Sequence, residues 1–376
     1  MNNSLYERNR YLETIEANYN TKKIKILSGI RRVGKSVMLR QLAARLRKSG
    51  VHEKSIIFID TDKPEFRGLK SPSDLSTAVT KQLSEKRIHK YLFLDGIENI
   101  EVWQDYLKSL SQKGNIDVII ALPGIYSLFD NLSKNHDFEY NEIRVNPLNF
   151  NEFMQFRNSN RLSKEKEFQD YIKLGGLPGI HQISGTETTI YQYLNSIFYT
   201  ILLRDIVANH NIRNVKLLES IGKYLFVKIG SSFTEKNLAD YLKTISFKIG
   251  FETVQKYLNY FIQANIISKC SRFDIVKKRA LLIGEKYYLV EFSMRHSILG
   301  WNENSTSSIM KNIVYNRLLQ GGYRVYAGKY YNHEIDFYAT KEREHFYIQV
   351  GNLFESQNAL NKKLRPLKAI NDNYPK

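Results

Sequence analysis

Over residues 21–150, short continuous apolar runs alternate with stretches whose apolar positions recur at helical spacing. KIKILSG, SIIFIDTD, KYLFLDG and DVIIALPG are rich in β-branched and aromatic residues and end in turn formers, so each predicts a buried strand. VMLRQLAARLRKSG, after the first of them, has the period of a helix. Continuous rather than alternating apolar runs mark strands covered on both faces, as in a parallel sheet. SPSDLSTAVTKQLSE predicts a further helix, with Ser71 as cap, Pro72 at the first helical position and Asp74 near the positive end. The fold class expected for residues 1–150 is therefore α/β, a doubly wound parallel sheet.

From 151 to 215 the pattern turns helical: NEFMQFRN, EFQDYIKL, a Gly-Pro break at GGLPGI, then the long run TTIYQYLNSIFYTILLRDIVANH. This segment is expected to form a helical lid or connector. Residues 216–300 predict three helices (KLLESIGKYLFVKIG, FTEKNLADYLKT, FETVQKYLNYFIQANIIS) and a hairpin (SRFDIV, KYYLVE), the element order of a winged helix. Residues 301–376 begin with the helix SSIMKNIVYNRLLQG and continue as strands YRVYAGKYY, EIDFYAT and HFYIQVGNL, a small α+β domain. No closing element is evident before NDNYPK, so this last domain is expected to be truncated.

Composition narrows the class. The 376 residues exceed one compact core, and 42% hydrophobic with 25% charged residues is ordinary for a soluble globular chain. Lys and Arg number 56 against 38 Asp and Glu, a formal charge of +18 that favours a polyanionic partner: nucleotide, nucleic acid or an acidic protein face. The single cysteine, Cys270, excludes an intramolecular disulfide and a multi-cysteine zinc site, and the eight histidines show no metal spacing. The N-terminus lacks an apolar signal core and no apolar run approaches the ~20 residues that span a bilayer, so a cytoplasmic protein with no membrane partner is expected.

The chemistry concentrates in LSGIRRVGKSVMLRQL, residues 27–42. Gly29, Gly34, Lys35 and Ser36 satisfy G-x-x-x-x-G-K-[ST] between a predicted strand and a predicted helix. Glycines let backbone amides turn toward phosphates and the helix N-terminus adds positive potential. The expected nucleotide loop is Gly29, Ile30, Arg31, Arg32, Val33, Gly34, Lys35 and Ser36, with Lys35 on the outer phosphates. Ser36 is expected on Mg²⁺, supported by Asp95 at the end of YLFLD. The expected ligands are ATP or ADP with Mg²⁺.

With GIRRVGKS, FLDGIENIEVW, VNPLNFNEF, YIKLGGLPG, LLRDIVANHNIRN, EKYYLV, and NIVYNRLLQGGYRVYAGK with EIDFYA and YIQV, the chain resembles, over nearly its whole length, prokaryotic AAA-type ATPases. In that family the ATPase domain is followed by a winged helix and a C-terminal domain like a restriction nuclease. The departures fall on hydrolysis. Where the family follows its Mg²⁺ aspartate with a water-activating glutamate, this chain has Gly96; Glu98 stands two residues on, and a strand-to-loop turn argues against its substituting. The family's Thr-Gly-Ser run after the next strand is Ala121, Leu122, Pro123, and Phe138, Glu139 and Tyr140 stand where it has Gly-Arg-Tyr, so a glutamate replaces a candidate arginine finger. Loss of such a finger alone costs about 10³–10⁵ in rate. In the nuclease-like part Asp336 remains, whereas Lys311 and Arg317 replace helix glutamates and Gln349 and Gly351 replace the final Glu-x-Lys pair, so cleavage is not expected.

These residues predict a nucleotide-binding AAA-type protein in which the nucleotide acts mainly as a conformational ligand. Two alternatives stay open: an active ATPase as in the family, and a DNA-binding or scaffold protein with a vestigial loop. For the latter, Lys256, Tyr257 and Tyr260 on the third helix of the winged-helix segment, and Lys277, Lys278 and Arg279 at the hairpin, are candidate contacts. Arg204 and Asp205 are expected to form an ion pair or to approach the nucleotide, and Asn209 and His210 to form a helix-end polar cluster. Oligomers are compatible with all of these.

Overall fold

The computed structural model describes residues 6–82, 89–111, 115–125, 139–157, 162–351 and 357–376. They divide into two compact units, Met1–Asn146 with Gln263–Asn265, and Pro147–Ile262 with Ile266–Lys376.

The first unit runs α1 (Asn9–Glu16), β1 (Ile24–Ser28), α2 (Lys35–Lys48), β2 (Ile56–Asp60), α3 (Pro72–Gln82), β3 (Lys90–Asp95), α4 (Trp103–Ser111), β4 (Ile116–Ala121) and β5 (Tyr140–Arg144). The sheet has the order β2-β3-β4-β1-β5 and every pairing is parallel. Ile24, Ile26, Ile57, Ile59, Leu92, Leu94, Val118 and Ile120 form a core with Leu75 and Val79 of α3 and Leu107 and Leu110 of α4, which explains the unbroken apolar runs. Asp74 and Ser71 cap α3 reciprocally: Asp74 N–H donates to Ser71 Oγ at 3.2 Å, and Ser71 N–H to Asp74 Oδ2 at 3.0 Å. At the amino edge of the sheet, Lys25 of β1 and Asp117 of β4 form a fully buried ion pair.

The second unit is mostly helical before its sheet: α5 (Phe150–Arg157), α6 (Lys164–Leu174), α7 (Glu187–Thr200), a π-helical segment at Ile201–Val207, α8 (Val215–Val227), α9 (Glu235–Thr244), α10 (Phe251–Gln263), β6 (Ile267–Asp274), β7 (Arg279–Leu289), α11 (Met294–Leu299), α12 (Thr306–Gln320), β8 (Arg324–Tyr330), β9 (His333–Lys341), β10 (Glu344–Ile348) and α13 (Gln357–Ala369). The hairpin β6-β7 and the later strands share one sheet, order β10-β9-β8-β6-β7, in which β6 and β8 pair in parallel. Asn312 of α12, fully buried, ties this sheet to the helix by accepting from Leu289 N–H at 2.8 Å and donating to Leu289 O at 2.7 Å.

The motif GGLPG has a packing cause. Gly175, at φ +82°, leaves room for Glu291 and Ser293; a Cβ there would lie 2.2 Å from Glu291 Oε1. Gly176 N–H donates to Glu291 Oε2 at 3.0 Å, and Ser293 donates to Oε1 through both its N–H and its hydroxyl. Burial nevertheless raises the Glu291 carboxyl to about 7, its three hydrogen bonds only partly opposing this. The raised folded-state pKa means the contribution to stability is complete below the ordinary glutamate range and is lost as pH rises through about 7. Thermal melts between pH 5 and 8 are expected to show this decline in the native chain and a flatter profile in Glu291→Gln.

Candidate functional site

The phosphate loop leaves the carboxyl end of β1, a central strand flanked by β4 and β5, the edge where open α/β sheets bind ligands. Gly29 has φ +144° and exchanges two backbone hydrogen bonds with Gly124, at 2.7 and 3.1 Å. A Cβ at Gly29 would lie 2.4 Å from the Val145 carbonyl oxygen, so only glycine fits there. Arg32 and Gly34 are also left-handed, at φ +65° and +105°, and these reversals curl the chain into the N-terminus of α2. Ile30 and Val33 are fully buried and pin the curl. Gly34 caps α2 without a side-chain hydrogen bond and the first turn holds no acidic residue, leaving amide groups and helix potential for an anion. Lys35 Nζ donates to Gly29 O at 2.7 Å and Ile30 O at 2.9 Å, so its ammonium lies inside the curl.

Beside the loop, Ser36 hydrogen-bonds Asp95, the last residue of β3. Burial raises the Asp95 carboxyl above its ordinary range; the Ser36 bond opposes this and the neighbouring Asp60 adds to it. Asp60, which the sequence reading did not single out, ends β2 in register with Asp95 and meets Arg40 at 3.6 Å. Its signal was available: two adjacent parallel strands both end in aspartate. Ser36 with Asp95 and Asp60 supplies hard oxygen donors that fit Mg²⁺.

After Asp95 the chain turns through Gly96 at φ +75° into a short turn, Ile97–Asn99. Thr61 Oγ1 donates to Gly96 O at 2.8 Å and Asn99 Nδ2 to the same oxygen at 3.0 Å. This turn brings Glu98 to the phosphate loop, with Oε1 3.4 Å from Arg31 Nη2. The sequence argued against Glu98 substituting for the missing glutamate; the structure places its carboxylate beside Arg31.

The remaining predicted residues scatter. Ala121 and Leu122 are buried at the end of β4, with Leu122 N–H bonded to Leu27 O, and Pro123 is half-buried. Phe138 lies outside the described residues; Glu139 is exposed opposite Lys23 at 3.6 Å, and Tyr140 opens β5. In the second unit Arg204 is exposed and Asp205 buried on the π-helical turn. Asn209 Nδ2 donates to Asp205 O at 3.1 Å. Lys256 is exposed on α10, but Tyr257 and Tyr260 are half-buried and Tyr260 stacks on His210 with ring centres 3.6 Å apart, a correction to their expected exposure. Lys277, Lys278 and Arg279 are exposed at the β6–β7 turn. Cys270 is buried, and burial pushes its thiol up to about 12. Asp336, only 1% exposed, pairs with Lys311 of α12, and its backbone N–H donates to Gln349 Oε1 at 3.2 Å. Arg317 lies on the last turn of α12, and Gly351 follows β10. Among the described residues, no helix is long and apolar enough to cross a membrane.

Residues 21–154 match the family model described as "AAA domain", and residues 165–305 match a domain of unknown function (DUF8612). An uncharacterized protein of Haemophilus influenzae is 28% identical over 383 residues, covering 100% of this chain and 93% of its own length. An uncharacterized protein of Methanocaldococcus jannaschii is 27% identical over 344 residues, covering 87% of this chain and 74% of that protein. Among solved structures, a Walker-type ATPase of Pyrococcus abyssi superposes with a TM-score of 0.55 at 13% identity, covering 78% of this chain and 96% of the other, a likeness of fold. The all-parallel sheet and the curled loop at its carboxyl edge give the first unit a P-loop-like fold, and residues 21–154 are similar to the AAA domain that the family model describes.

Proposed function

We propose that this chain binds ATP or ADP with Mg²⁺ and uses the nucleotide mainly as a conformational ligand, with hydrolysis weak or lost. The carrying observation is the contrast between an undamaged phosphate loop and a left-handed glycine at position 96, where the resemblance leads one to expect the water-activating carboxylate. The loop amides and the N-terminus of α2 would hold the phosphates, with Lys35 against the outer ones. Ser36 and Asp95 would hold Mg²⁺, with Asp60 neighbouring, and the ion when bound would neutralise phosphate charge. Gly96 has no group with which to orient water. In this reading the protein is cytoplasmic, the α8–α10 and β6–β7 segment is a winged helix, and the C-terminal part is a nuclease-like fold without cleavage chemistry. Lys311 supports the last point: its ammonium already neutralises Asp336 where a metal would need that carboxylate.

Thermal stability and phosphate release, followed together in Mg²⁺ and ATP, test the proposal. Ligand at about 100 times its dissociation constant stabilises the folded state by roughly 2.7 kcal/mol. Stabilisation is expected in the native chain without appreciable phosphate release, and none in Lys35→Ala. Phosphate release that depends on Lys35 would instead favour the active ATPase, a reading for which the approach of Glu98 to the loop speaks. Salt-sensitive DNA affinity unchanged by Lys35→Ala, with no nucleotide binding, would favour a DNA-binding protein with a vestigial loop; the exposed cations at Lys256 and Lys277–Arg279 suit that reading.

A further inference from the structure

Resting on the proposed nucleotide binding, we infer that Glu98 competes with the nucleotide's phosphates for Arg31 and so sets the affinity of the site. Arg31 stands between Ile30 and Arg32 on a loop whose apolar anchors Ile30 and Val33 are fully buried, so its guanidinium is presented from a fixed backbone. Glu98 is held just as firmly. Ile97 before it is fully buried, and the Gly96 carbonyl that starts its turn accepts from both Thr61 and Asn99. The Arg31 and Glu98 side chains are only 19% and 24% exposed, which sets this pair apart from freely solvated surface pairs.

A carboxylate oxygen and a phosphate oxygen are alternative acceptors for the same guanidinium N–H. Phosphates arriving at the loop therefore share Arg31 with Glu98, and gain the Nη2 donor only as Glu98 gives it up. The carboxylate also lies close enough to the cradle to repel an anion directly, and these two effects separate experimentally. Competition acts through Arg31 and disappears with it, whereas direct repulsion does not.

Calorimetric titration of the full-length protein with ADP and ATP in Mg²⁺ would compare the native chain, Glu98→Gln, Arg31→Ala and the double variant. Glu98→Gln is expected to bind roughly two- to fivefold more tightly than the native chain, the gain shrinking as salt rises. Arg31→Ala is expected to bind more weakly, and adding Glu98→Gln to it is expected to change nothing further. Unchanged or weaker binding in Glu98→Gln overturns the inference, as does a gain of equal size in the Arg31→Ala background. Unchanged affinity with loss of phosphate release would make Glu98 a water-activating group instead. If neither the native chain nor Glu98→Gln shows Lys35-dependent binding, the proposed nucleotide binding fails together with the inference.

Discussion

Replacing Asp117 with alanine is expected to lower the stability of the chain by about 3–5 kcal/mol, the usual cost of removing one partner from a buried ion pair. Both Lys25 and Asp117 side chains are completely buried. Asp117 Oδ2 also takes Asn20 N–H at 2.8 Å and His89 Nε2 at 2.9 Å, and Lys25 Nζ donates to Thr21 O at 3.2 Å. Alanine would leave the Lys25 ammonium without its carboxylate and free the Asn20 amide as well. Lys25→Met with Asp117→Leu is expected to cost much less, because apolar groups of similar volume replace the charges without stranding either. Denaturant unfolding decides: a loss under about 1 kcal/mol in Asp117→Ala would mean that water reaches the Lys25 end of the pair. Because the strands are parallel, Lys25 and Asp117 near the strand starts lie at the opposite edge from the phosphate loop. The folded fraction of Asp117→Ala is therefore expected to bind nucleotide normally, which separates this effect from damage to the site.

The first unit was legible where burial dictated sequence. Strands covered on both faces are apolar at most positions, with charges confined to their ends or paired as Lys25 and Asp117 are, and the runs in KYLFLD and IDVIIA can hardly be read otherwise. Edge strand β5 was missed for the converse reason: in YNEIR only Ile143 is buried, so no apolar run betrays it. Helix α13 was missed because Pro366 lies inside it and Pro reads as a breaker. Contacts between residues distant in the chain escaped altogether. The pairing of Arg272–Asp274 with Ala327–Lys329 joins segments that read as separate domains, and the His210–Tyr260 stack hides a ring that helical spacing left free. At the site, spacing alone yields Gly29 through Ser36 because the loop's chemistry is local. The approach of Glu98 to Arg31 depends on one left-handed glycine, and sequence names that glycine without giving its torsion angle.

That torsion angle leads to the second large effect: Gly96→Glu is expected to lose stability without gaining hydrolysis. If Gly96 were merely a lost carboxylate, restoring glutamate would repair the site. The backbone at φ +75° instead places any Cβ 2.3 Å from Thr61 Oγ1, the hydroxyl that holds the Gly96 carbonyl. A non-glycine residue in this conformation costs about 1–2 kcal/mol before any clash. Relief requires moving Thr61, which breaks its bond to Gly96 O and disturbs the turn that carries Glu98. Gly96→Ala is expected to show most of the same destabilisation, since the strain arises at Cβ and not at the carboxylate. Adding Thr61→Ala to Gly96→Glu is expected to recover part of the stability, because the atom in conflict is removed while the φ cost remains. Melting temperatures of the three variants, with phosphate release measured in Mg²⁺ and ATP, test the sequence of causes. Lys35-dependent turnover in Gly96→Glu at undiminished stability would show that the turn accepts a side chain freely. Position 96 would then be a simple deletion of chemistry, and the geometry around Thr61 would have no part in excluding hydrolysis.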